Sequence, residues 1–142
     1  MKLHKKEIAR RQIETALDLF FSQGDAIAVI TLAGASEEIL GNLIRRNGTL
    51  CMMDHLIELD RDITEGGRSI ETVNSEVNGV RNSLKHANDP HEDEVDVDDQ
   101  HGEAMLARAI ANYIALEGKE KATPTMLRFY EYIKLLHPDV CS

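Results

Sequence analysis

The chain contains no tryptophan, and its three Phe and three Tyr make up only 4% of 142 residues. A protein that holds single-stranded nucleic acid by base stacking needs aromatic platforms, so the composition speaks against that class. Positive charge is also scarce: 16 Lys and Arg stand against 25 Asp and Glu, for a net charge of −9. Coating nucleic acid by bulk charge requires clustered cations that displace counterions, which this balance disfavours; a small local phosphate site is still compatible with it. Cysteine is limited to Cys51 and Cys141, ninety positions apart and in no CxxC or CxxH. Two lone thiols read as reduced and intracellular, with a single disulfide as the open alternative. No apolar stretch follows Met1-Lys2-Leu3-His4-Lys5-Lys6-Glu7, so no secretory leader is expected. The longest apolar run, Ala26 to Ala35, is interrupted by Thr31 and Gly34 and is far short of a membrane span. The expectation is a cytoplasmic protein without membrane association.

What the chain does have is an ordinary globular interior: 42% apolar and 29% charged residues. A chain of this size buries roughly 68–70% of its unfolded surface, enough for one core without staples. The dominant period is helical. Ile8, Ile13, Ala16, Leu17, Phe20 and Phe21 form one stripe, which Gly24 ends. Asp25 can cap a second helix running to Arg46, whose first half is apolar nearly all round, as befits a central helix. A strand competes there because of the β-branched residues, but the pattern continues unbroken through Ile39, Leu40, Leu43 and Ile44. Ala33, Gly34 and Ala35 would let a neighbouring helix approach closely.

After the Asn47-Gly48-Thr49 turn, a short helix is expected at about Met52 to Arg61. Ile70, Val73, Val77, Val80 and Leu84, at spacings of three and four, predict a third long helix ending near His86. The Asn88-Asp89-Pro90 segment terminates it. Residues Glu92 to Asp99 read as an acidic loop, with Val95 and Val97 the candidates for a short extended piece. A further helix covers about Gly102 to Leu116, and Thr123-Pro124 opens a last one running to about Leu136. With no repeat and no linker, residues 1–142 read as one domain: an all-α, up-and-down helical bundle of four main helices with one or two short extra helices.

One constellation stands out, Arg81-Asn82-Ser83-Leu84-Lys85-His86 at the end of the third long helix. If the helix continues, Asn82 and His86 are i, i+4 neighbours, and the amide can fix the imidazole tautomer. Arg81 lies about 100° round from Asn82 but has the reach to join it. A guanidinium binds phosphate through a two-bond fork, and an imidazole moves protons near neutral pH. Arg81 and Lys85 are then phosphate-binding candidates, and Arg81, Asn82 and His86 catalytic ones.

An Arg, a polar residue and a His five positions after the Arg, in a small helical bundle, resemble the HEPN family, named for higher eukaryotes and prokaryotes nucleotide-binding domains. The segment from Asn82 to Pro90 and the helix around Ala16 to Phe21 are also similar to an uncharacterised bacterial helical group. The resemblance covers roughly Glu7 to Leu136. In enzymatic members it implies metal-independent endoribonuclease chemistry, in which the ribose 2′-hydroxyl attacks the adjacent phosphate. His86 would act as base or acid and Arg81 would stabilise the phosphoryl oxygens. One His per chain is thin for a reaction needing both an acid and a base, so this reading implies a homodimer with two motifs facing one groove. In other members the resemblance implies a nucleotide- or RNA-binding module. A cognate antitoxin-type protein is a further partner it admits.

The competing reading is a non-catalytic helical interaction or structural protein without an active site. Its second helix would seal a dimer or partner interface, Arg81 would pair with the carboxylates of Glu92 to Asp99, and His86 would cap the last carbonyls of its helix. No metal or cofactor is expected. The acidic run lacks EF-hand spacing, and a di-iron bundle would need Glu-x-x-His pairs that are not present. His55 and Glu58 give only a reversed couple, and Cys51, Met52 and Met53 read as core or interface residues.

Overall fold

The computed structural model describes residues 1–137; Cys141 lies outside them. Six α-helices follow in order: α1 (Lys5–Phe21), α2 (Ala26–Arg46), α3 (Met52–Thr64), α4 (Ile70–Ser83), α5 (Asp99–Glu117) and α6 (Pro124–Leu136). A short 3-10 turn at Lys119–Lys121 joins the last two. No strand occurs among the described residues, and Val95 and Val97 lie in irregular chain. The all-helical bundle expected from periodicity is the observed fold.

The core forms where α2 lies between α1 and α5. Ala9, Ile13, Ala16 and Leu17 of α1, Val29, Ala33 and Leu40 of α2, and Met105, Leu106 and Ala109 of α5 are buried together. Gly102 lets α5 press against α2, since a Cβ there would come 3.1 Å from Val29 Cγ1. α2 is the one described helix long and apolar enough to cross a membrane, and half of that stretch is buried inside the bundle. Val29, Ile30, Ala33, Leu40 and Ile44 are the part of its apolar surface buried internally. α6 closes the other side through an edge-to-face aromatic cluster, with the Phe20 ring 5.4 Å from both Phe129 and Tyr132.

The caps explain the helix boundaries. Asp25 Oδ1 accepts from the Ile27 amide and Thr123 Oγ1 from the Met126 amide, both as the sequence indicated. After α1 it is Gln23, not Gly24, that turns left-handed, at φ 59°, while the Gly24 amide donates back to Leu19 O at 2.7 Å. α5 starts at Asp99, three residues before the expected point, because Asp98 caps it. Asp98 Oδ1 accepts from the Gln100 amide, and His101 Nδ1 accepts from the Asp98 amide.

α3 and α4 pack on each other and against one end of α2 and α5. Their own cluster is small: Met53 and Val73 with Ile44 and Cys51. Of the expected α4 stripe only Val73 is fully buried, and Ile70 is 54% exposed. The helix stops at Ser83 rather than near His86. Lys85 closes a tight turn on Asn82 O at 3.2 Å, and between Leu84 and Pro90 the sequence offers no large apolar residue to anchor a further helical turn.

Candidate anion site

Glu37 falls on the buried stripe of α2, one turn beyond Ala33 and one before Leu40 and Gly41. Its carboxylate is 5% exposed and accepts two charged partners. Arg81 Nη1 of α4 donates to Oε2 at 3.1 Å, and Arg108 Nη2 of α5 donates to Oε1 at 2.9 Å. Around this centre the network widens. Arg108 Nη2 also approaches Met53 Sδ at 3.4 Å, and Asn78 Nδ2 donates to Asn74 Oδ1 at 2.8 Å. Asn112 Nδ2 donates to Glu37 O at 3.2 Å, while its Oδ1 accepts from the Met52 amide at 2.9 Å. One polar knot thus ties α2, α3, α4 and α5 together.

The knot is not self-sufficient. Two guanidinium groups, Arg108 buried and Arg81 partly so, share one carboxylate, and among the described residues neither has a second acidic partner within ion-pair distance. Arg81 Nε, Arg108 Nε and Asn78 Oδ1 are buried without a hydrogen-bond partner. An arginine always carries its charge and five donors, so Glu37 leaves Arg81 with unused donors and the cluster with a surplus positive charge.

Arg81 is held by shape as well as charge. Its side chain lies across Gly34 of α2, where a Cβ would fall 2.7 Å from Arg81 Cγ. The small residues of α2 do admit a neighbour, and that neighbour is this arginine. The same side chain forms part of the wall of a cavity of about 350 Å³, whose α2 side is Thr31, Ala35 and Ile39. Lys85 lines it too, with Glu38 and Asn42. A smaller cavity of about 110 Å³ on the far side of Arg81 is lined by Asn74, Asn78, Arg45 and Cys51, among others.

Of the motif residues, the fold brings together Arg81, Asn82 and Lys85. Arg81 Nη2 reaches Asn82 Oδ1 only at 3.5 Å, the limit of a hydrogen bond. His86 stands apart. It is exposed, lies beyond the end of α4, and is not part of the cavity lining. The helical Asn82–His86 pairing is therefore corrected: the helix ends three residues before the imidazole. The pairing of Arg81 with the acidic loop is corrected as well. Its partner is Glu37, and residues 92–96 are exposed.

Three key members of the cluster were not singled out by the motif. All carry a sequence signal: Glu37 interrupts the apolar face of α2, and Arg108 and Asn112 sit on the same face of α5 as Met105 and Ala109. A charged residue on a stripe that must be buried announces a buried partner.

At the start of α3, Asp54 pairs with Arg45 at 2.9 Å and accepts from the Cys51 amide at 3.1 Å. These donors, the Arg45 guanidinium foremost, hold its carboxyl down at about 2. Burial pushes the Cys51 thiol up, away from the reactive thiolate. Cys51 and Met53 are buried core residues, as expected. Among the described residues no group of three or more His, Cys, Asp or Glu could hold a metal ion. Compared with protein-family models, curated proteins and solved structures, the chain matches none.

Proposed function

We propose that this chain is a helical anion-binding module, of the HEPN-like type its motif resembles, that recognises a phosphate or other oxyanion and does not cleave its ligand. The observation that carries the reading is a pinned guanidinium: Arg81, fixed by Glu37, lines a cavity of about 350 Å³ together with Lys85. An arginine already oriented by a carboxylate loses little freedom on meeting an anion. The exposed position of His86 outside that cavity favours binding over catalysis. RNA or a nucleotide is the ligand class the family resemblance names, and a homodimer is the assembly it names. The exposed Leu59 and Ile63 of α3 offer an apolar surface for such self-association.

The test is calorimetric titration with inorganic phosphate and with octauridylate at low salt. Saturable binding that weakens at least fivefold in Lys85→Ala, with an unchanged thermal midpoint, is expected. The salt dependence should be shallow, since few phosphates are neutralised. RNA cleavage by the wild type that disappears in His86→Ala would instead establish the ribonuclease reading.

A second reading rests on the burial of Arg81, whose side chain is 11% exposed. In it Arg81 only ties α4 to α2, and the chain is a non-catalytic helical interaction protein. Absence of binding to both probes and to small carboxylates would select it.

A further inference from the structure

The cavity beside Arg81 has two unlike halves. One is cationic, Arg81 and Lys85 from the end of α4; the other is the face of α2 with Thr31, Ala35 and Ile39. Among the described residues Glu38 supplies the only carboxylate in the lining, and the walls they form carry a surplus of one positive charge. Behind Arg81, Glu37 and Arg108 cancel each other and leave that surplus unchanged. Among the described residues no aromatic lines the cavity, so a base would find no ring there to stack on.

From this we infer that the site takes a small singly charged oxyanion with a short apolar body, and not a polynucleotide. The inference rests on the anion-binding reading and narrows its ligand class. A single carboxylate or phosphodiester group matches the surplus charge, and the apolar body covers Ala35 and Ile39. A strand bearing a phosphate at every residue would meet Glu38 at the cavity and a net charge of −9 around it. A cavity of about 350 Å³ is at the small end of ligand pockets, which suits a compact molecule.

Titration of the full chain with acetate, hexanoate, inorganic phosphate and octauridylate tests this. Hexanoate should bind about tenfold more tightly than acetate, because its added methylenes leave water for a partly open apolar wall. Lys85→Ala should weaken both acids about equally. Thr31→Trp, at an exposed position of α2, should fill the cavity and abolish hexanoate binding without moving the thermal midpoint. Equal affinity for acetate and hexanoate, with phosphate still bound, would overturn the ligand class and leave the anion site standing. Octauridylate binding more tightly than hexanoate would overturn it in favour of RNA, and hexanoate binding that survives Thr31→Trp would place the ligand elsewhere. If none of the four probes binds, this inference falls together with the reading beneath it.

Discussion

Glu37 is the residue on which the largest electrostatic effect converges, because it is one buried carboxylate facing two guanidinium groups, Arg108 buried and Arg81 partly so. The two sides of this arrangement are not equivalent. Glu37→Gln strands both arginines without a counter-ion, and removing the partner of a buried charge costs about 3–5 kcal/mol. Arg81→Met keeps the aliphatic stem over Gly34 and leaves Glu37 paired with Arg108, so its cost should stay below about 2 kcal/mol. Urea unfolding followed by circular dichroism compares them. Equal losses would show that the carboxylate is not the centre of the knot. The motif made Arg81 visible in the sequence, but its partner sits 44 positions away. Spacing along one helix carries no information about a contact between two helices.

Among the elements, α3 depends most on its first turn, since Met53 is its only fully buried residue. Asp54 serves that turn, accepting from the Cys51 amide and pairing with Arg45. Its folded pKa of about 2 lies below the ordinary carboxylate value. Asp54 therefore adds stability above about pH 4, and that contribution is lost as the pH falls from about 4 towards 2. Half-exposed Arg45 is well solvated, which reduces the contribution at neutral pH to about 1 kcal/mol. Asp54→Asn should lower stability at pH 7 by that amount and flatten the loss between pH 4 and pH 2, as read from unfolding midpoints across the series. A variant with an undiminished acid slope would refute the assignment. Helix identity was legible throughout, because apolar period and cap residues are local properties. Helix ends were less so. α4 stopped short of His86 because packing, not period, decides how far a marginal helix runs.

At the scale of the whole molecule, burial is uneven. α1, α2 and α5 share the main core, whereas α3 and α4 contribute only Met53, Val73 and Asn78 to the buried set. Local opening requires little free energy where few apolar contacts are lost. In hydrogen exchange, the amides of α2 and α5 should be the slowest and those of α3 and α4 should exchange well before them. Uniform protection across all six helices would contradict this division. The anion cavity lies on the seam between the two regions, walled by α2 on one side and the end of α4 on the other. A ligand bridging that seam should slow exchange in α4 more than in α1.

The sequence alone determined the class of fold, the rough order of the helices and the central place of α2, because apolar periodicity and capping are written in neighbouring residues. It also picked out Arg81 and Lys85 as a local pair of cations. Only the tertiary structure decided what those cations face. Which buried arginine meets which glutamate, and whether His86 shares their cavity, depend on how separate helices pack. That packing pairs charges far apart in the chain, offsetting the cost of their desolvation, and no spacing within one segment encodes it.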